Sequence, residues 1–231
     1  MIMKKLLLSL IVAAAPMIAS AQSIFDSGEN YKYFGVRLGL DLTCPTKVTD
    51  NNSPLNLASD IFKTGAGFNV GAIYNIPVWM NMYVEPGVTL YYHTYKLNKD
   101  FLPEMEPKYS SGSVREFGLS IPVVAGYHFD FTDDIKVRVF TGPVFSLGLK
   151  GDLHVTDKSS DIKLSGSTGV YKDGGINRSN IAWRIGAGID YKQFAFAVYG
   201  DPELTHAYHN TDGSNMVFRR NVVSFTLGYN F

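Results

Sequence analysis

Taken two residues at a time, most of this chain separates into a set of large apolar residues and a set of glycines, small polar residues and charges. In NVVSFTLGYNF, residues 221–231, Val223, Phe225, Leu227, Tyr229 and Phe231 alternate with Val222, Ser224, Thr226, Gly228 and Asn230. Successive side chains of a strand point to opposite faces, so a period of two marks a sheet between two different surroundings. The alternation recurs over roughly 33–43, 65–76, 82–95, 114–129, 135–149, 180–191, 194–204 and 217–231. No window sustains a helical period. Most of these segments exceed the ~5–6 residues of an ordinary globular strand. They suit the ~9–11 residues of a tilted bilayer crossing.

The two faces differ in a way that selects the surroundings. One parity reads Phe34, Val36, Leu38, Leu40; Phe68, Val70; Val88, Leu90; Phe117, Leu119, Ile121, Val123; Val139, Phe145; Ile185, Ile189; Phe194, Phe196, and carries no charge. Lipid enforces that purity, because a Lys or Arg on the lipid face costs about 2–4 kcal/mol at the midplane. The opposite parity holds Arg37, Asp41, Glu85, Glu116, Lys136, Arg138, Arg184 and Asp190 beside Gly35, Gly71, Gly118, Gly126, Gly186 and Gly228. Glycine weakens a strand, so its one-sided concentration needs a cause. A small barrel supplies one, since its interior has room only for side chains. A soluble ligand-binding barrel would put the apolar parity inside and leave charges among glycines as its surface.

Connections alternate in length: 77–81, 130–134 and 192–193 are tight, whereas 44–64, 96–113, 150–179 and 205–216 are long and polar. Short turns on one rim and long loops on the other are the plan of an outer-membrane barrel. No run after residue 22 approaches the ~18 apolar residues of a spanning helix, and lipid admits only helices or closed barrels. The expected fold is therefore all-β: an eight-stranded antiparallel up-and-down transmembrane β-barrel. Its last strand should pair with the strand near 33–43 so that no edge remains. Pro86, Pro122 and Pro143 sit inside strands, where a missing N–H predicts bulges or irregular pairing.

Residues 1–22, MIMKKLLLSLIVAAAPMIASAQ, show two lysines, an apolar run and Ala19-Ser20-Ala21, the layout of a cleaved signal peptide over 1–21. The expected barrel domain is 22–231, located in the cell outer membrane. Formal net charge is zero, which supplies no field for nucleic acid. One cysteine, Cys44, excludes an internal disulfide framework and multi-cysteine metal sites.

Arg37, Glu85, Glu116, Arg138, Arg184 and Asp190 form the expected lumen charge network. Two roles fit: a charged constriction for a solute, or an ion-paired plug, which the narrow interior favours. DPELTHAYHNTD, 201–212, gathers Asp201, Glu203, His206, His209 and Asp212. These residues could serve as a rim general base or loose metal site, or simply as a polar extracellular loop. GINRSNIAWRIGAG does not open a helix after a strand, so no phosphate cradle follows. The expectation is no catalytic residue, no cofactor and no metal. Tyr74, Trp79, Tyr127, Phe129, Tyr191, Phe194, Tyr229 and Phe231 read as an inner aromatic girdle, and Tyr92, Phe145 and Trp183 as an outer one. Phe225, Leu227, Tyr229 and Phe231 resemble the signal recognised by barrel-assembly machinery, an expected partner besides outer-membrane lipid.

YVEPGVTLYY (83–92), FGLSIPVVAGYHF (117–129), VRVFTGPVFSLGL (137–149) and WRIGAGIDY (183–191), in that order, resemble the PorT-like outer-membrane beta-barrel family of Bacteroidetes. That family is often labelled "porin family". The resemblance implies an OmpA-like eight-stranded barrel. It transfers no catalytic motif, and its founding member's place in a secretion apparatus is not carried over as this chain's role. The expected role is structural or interactive, with loops 96–113 and 150–179 meeting an envelope or extracellular partner. The alternatives are a secretion component, a narrow solute channel, and an outer-membrane hydrolase using His206 or His209.

Overall fold

A computed structural model describes residues 32–46, 48–50, 58–59, 62–97, 109–157, 168–171, 176–206 and 216–231. The leader over 1–21 lies outside them. Eight long strands follow one another: β1 Tyr33–Pro45, β2 Gly65–Trp79, β3 Met82–Leu97, β4 Tyr109–Asp130, β5 Ile135–Asp157, β6 Ser179–Tyr191, β7 Phe194–Asp201 and β8 Arg220–Asn230. Each pairs antiparallel with its sequence neighbour. β1 closes the ring on β8, running from Gly35↔Asn230 to Pro45↔Arg220. Closure leaves the sheet without a free edge, which is the condition for strands to cross lipid.

Alternation becomes burial as the period dictates. β1 runs exposed–buried from Phe34 to Thr43, with Phe34, Val36, Leu38, Leu40 and Leu42 outward and Arg37, Gly39, Asp41 and Thr43 inward. Leu40 is 70% exposed, Leu227 65% and Phe194 63%. On a water-soluble protein such a continuous apolar belt would drive association; in a bilayer it is the solvated surface. The girdle aromatics lie on this outer face, where Phe194 and Phe231 each meet Tyr229 edge-on.

The glycines make room for long inward neighbours. A Cβ on Gly126 would run into the Tyr83 ring, one on Gly118 into Tyr91, and one on Gly228 into the Arg37 side chain. Tight turns close the inner rim. Met80 and Lys192 take the left-handed φ values 49° and 53°, and Asn81 pins its turn by donating to the His128 carbonyl at 3.0 Å and to Asp130 at 2.9 Å.

Three expectations need correction. Much of 96–113 and 150–179 is strand, not loop, because β4 and β5 continue as a hairpin to Tyr109↔Asp157. Beyond the lipid band both faces are wet, so no apolar alternation announces strand there. The short ladder of Val48–Asp50 with Ala58–Ser59 likewise falls within a segment expected to be a loop, and that of Val48–Asp50 with Met216–Val217 straddles the boundary expected between loop 205–216 and strand 217–231. Thirdly, the prolines shift no register. Pairing steps from Pro86↔Val123 to Thr89↔Ser120 and from Pro122↔Val144 to Ala125↔Thr141 at constant offset. The ladder is interrupted at Pro86 and Pro122, the irregular pairing that an absent N–H predicts, but the register shifts lie elsewhere, between Pro77 and Trp79, Tyr109 and Ser111, and Phe117 and Gly118.

Candidate functional site: the lumen and its two seals

All six residues of the expected lumen network, Arg37, Glu85, Glu116, Arg138, Arg184 and Asp190, are buried on the inward face. They do not form one cluster. Strand tilt and register divide them between an inner layer and an outer one.

In the inner layer Arg138 Nη1 donates to Glu85 at 3.2 Å, and Arg138 Nε faces Asp190 at 3.5 Å. The second contact is an ion pair without hydrogen-bond alignment, since neither atom has a hydrogen-bond partner. The guanidinium of Arg138 also lies 5.4 Å from the Phe140 ring centroid. Arg37 donates through Nη1 to the Val36 carbonyl at 3.2 Å, while its Nη2 has no hydrogen-bond partner. Arg37, Glu85, Arg138 and Arg184 all line a cavity of about 30 Å³, large enough for a water to complete the set.

The outer layer contains residues that strand parity did not single out. Arg220 lies between Glu116, in a very short contact, and Glu203 at 3.2 Å, and the Tyr95 hydroxyl donates to Glu116 at 3.1 Å. Arg184 takes Asp201 bidentately at 2.8 and 2.7 Å and stacks 3.7 Å over the Tyr199 ring centroid. Asp41 accepts from Asn69 and Ser224, each at 2.6 Å, and meets His93 Nε2 at 2.8 Å. Fork-shaped Arg–carboxylate pairs of this kind are the strong form of ion pair. Arg220 and Asp41 were legible as inward-parity positions. Asp201 and Glu203 also fall on the inward parity of the strand over 194–204, although their grouping within 201–212 points to the rim.

Of the residues in 201–212 that could have formed a rim site, only some are described. Asp201 and Glu203 turn inward to hold arginines, His206 is exposed, and His209 and Asp212 lie outside the described residues. Among the described residues no group of three or more His, Cys, Asp or Glu could hold a metal.

Two apolar clusters are interleaved with these charges. Tyr83, Val124, Phe140, Ala197 and Tyr199 pack together inside the barrel at the level of Glu85 and Arg138. Nearer the long-loop rim Tyr95, Val114, Val170 and Ile176 form a second cluster with Phe62, Leu153 and Tyr171 against it. Val170 and Ile176 belong to the β5–β6 connection, whose described parts, 168–171 and 176–178, thus pack onto the inward-facing Tyr95 and Val114. Burial, reinforced by Glu116, pushes the Tyr171 hydroxyl above its ordinary range, and Arg220 opposes the shift. In the outer layer remains a cavity of about 70 Å³ lined by Asp41, Asn69, Glu116, Asn180, Arg184 and Arg220 among others. That is room for a few waters, not for a continuous aqueous path.

A closed eight-stranded antiparallel barrel with a lipid-ready belt and a side-chain-filled lumen defines an integral outer-membrane protein. The match of residues 21–207 to the model of the family "Outer membrane protein beta-barrel domain" agrees, and the chain belongs to that family. Among solved structures it is similar to Neisserial surface protein A (14% identity, TM-score 0.46, covering 86% of this chain and 97% of that one). It is also similar to OprG from Pseudomonas aeruginosa (11%, 0.44, 88% and 98%). A third is Ail, the attachment invasion locus protein of Yersinia pestis (12%, 0.41, 87% and 99%). No curated protein matches the chain.

Proposed function

We propose that this protein is a sealed outer-membrane barrel whose working surface is its extracellular end, engaged in a structural or interaction role. One observation carries the reading. The lumen is occupied by paired charges and two apolar clusters, while β4 and β5, of 22 and 23 residues, continue past the lipid belt on the long-loop side. A crossing needs only ~9–11 residues, so roughly half of each strand serves something other than spanning. The resemblance to PorT-like barrels of Bacteroidetes supports an envelope partner at that end, and no catalytic role is assigned. Phe225, Leu227, Tyr229 and Phe231 act as the assembly signal during biogenesis.

The test is conductance. Purified protein in planar bilayers gives no sustained current steps, and simultaneous substitution Arg138→Ala, Phe140→Ala and Val170→Ala creates them. Steady steps from the wild-type protein would replace the sealed reading with a narrow solute channel. Lipid or peptide hydrolysis that disappears with His206→Ala or His209→Ala would replace it with the enzymatic one.

A further inference from the structure

Above the lipid belt, on the long-loop side of β3, β4 and β5, an outward-facing group of cations stands in adjacent register. Lys96 lies two residues beyond Thr94, which pairs with Arg115. Arg115 pairs with Asp152, and Phe117 with Lys150. Lys63, in the short segment Phe62–Lys63, is the direct cross-strand partner of Lys96. All four are exposed, Lys150 to 75% of its side chain. Below them on the same face come Tyr92, Phe117, Phe68 and Phe145, with Phe68 and Tyr92 in contact at 5.5 Å between centroids. The group therefore stands where hydrocarbon gives way to headgroups.

Two features separate this group from ordinary surface charge. Lys150 reaches the outer face only through the register shift at Phe117/Gly118. Gly118 pairs with Gly148 and Phe117 with Lys150, so Leu149 is the extra residue. Without that bulge Lys150 would share the inward parity of Gly148; bulges re-aim side chains in this way. Secondly, Lys63 and Lys96 stand directly opposite each other, an arrangement that is destabilising without a counter-charge. Among the described residues the carboxylate at this patch is Asp152, 3.1 Å from Lys150, and no carboxylate lies within ion-pair distance of Lys63, Lys96 or Arg115. The opposite rim has the reverse balance. It carries exposed Asp130, Asp133 and Asp134 with Lys32 and Lys192, and Lys192 lies 3.6 Å from Asp134.

We infer that Lys63, Lys96, Arg115 and Lys150 form a site for the phosphate groups of an outer-leaflet glycolipid, whose acyl chains lie against Tyr92, Phe117 and Phe145. An anionic headgroup bridging Lys63 and Lys96 removes their repulsion. Arg115 presents a planar fork to a phosphate, and the aromatic belt continues into the acyl region. Lipid as the source, rather than a free anion, follows from the height of the group against the belt.

The experiment uses the full-length protein refolded in detergent, with folding verified by faster migration unheated than boiled. Native mass spectrometry counts bound diphosphoryl lipid A, with its dephosphorylated form and phosphatidylcholine as controls. Each of Lys96→Gln, Arg115→Gln and Lys150→Gln weakens retention roughly fivefold, from about 1 kcal/mol per basic residue near an anionic surface. Arg115→Lys, which keeps the charge but loses the fork, weakens retention less than Arg115→Gln does, high salt reduces it, and Lys192→Gln leaves it unchanged. A triple Gln variant that folds and retains the lipid as wild type does overturns the site. Equal retention of the dephosphorylated lipid overturns the phosphate chemistry. Inorganic phosphate that displaces the lipid at concentrations comparable to the lipid's own assigns the patch to a free anion instead.

Discussion

Replacing Arg138 by methionine tests whether the lumen is a solid, low-dielectric interior. Arg138 is 2% exposed and lies 3.2 Å from Glu85 and 3.5 Å from Asp190. Two unit charges at such separations attract by roughly 5 kcal/mol at an effective dielectric near 20 and by about 1 kcal/mol in water. Methionine fills similar volume but takes from two buried carboxylates their nearest cation, leaving Arg37 as the other positive charge of the layer. Removing one partner of a buried pair costs about 3–5 kcal/mol, and that is the loss expected here. The triple change Arg138→Met, Glu85→Gln, Asp190→Asn removes the stranded charge and should return to within about 1–2 kcal/mol of wild type, since a neutralised buried network is often near neutral overall. Urea unfolding in phosphatidylcholine vesicles, followed by the fluorescence of Trp79 and Trp183, gives both differences from midpoint and slope. Both tryptophans are on the outer face, 60% and 41% exposed, so their emission reports transfer out of lipid. A loss below about 1 kcal/mol for Arg138→Met is the value for a solvated pair. It would mean that water fills the inner layer, and the sealed-barrel reading would fail with it.

The fit between glycines and large inward residues predicts that Gly126→Val, forced against the Tyr83 ring, destabilises the barrel by about 1–3 kcal/mol. Tyr83→Ala in the same chain should recover part of that loss in the same urea assay. Deleting Phe231, which donates its backbone N–H to the Phe34 carbonyl at 2.8 Å, should lower the fraction of protein inserted in cells far more than it lowers the unfolding midpoint of the protein that does insert. Equal effects on both would assign Phe231 to stability instead of assembly. Deleting Leu149, the extra residue of the β4–β5 bulge, should restore ordinary pairing with Lys150 still opposite Phe117, so Lys150 keeps its outward direction and its reactivity toward a membrane-impermeant amine reagent. Loss of labelling in the folded variant would show that Leu149 is not the extra residue that sets the register.

The lipid belt and the barrel class were legible in the residues because lipid imposes one rule on every strand. Any outward position must be apolar, whatever its neighbours, so a period of two survives along β1 from Phe34 to Leu42 and along β8 from Val223 to Leu227. The same parity told which charges point inward. It could not tell which carboxylate each arginine takes. Glu116 and Arg220 are 104 positions apart, and Arg184 and Asp201 are 17 apart. Only strand tilt and closure of β1 on β8 set those groups at one height. The outward turn of Lys150 and the folding of Val170 and Ile176 over the lumen share a cause. Each depends on one extra residue or on chain beyond the ladder, where periodicity carries no information. Sequence alone determined what each face of this protein is dissolved in. Tertiary structure decided how the interior charges are paired and where the barrel is sealed, because ion pairing and packing depend on distances that strand alternation does not encode.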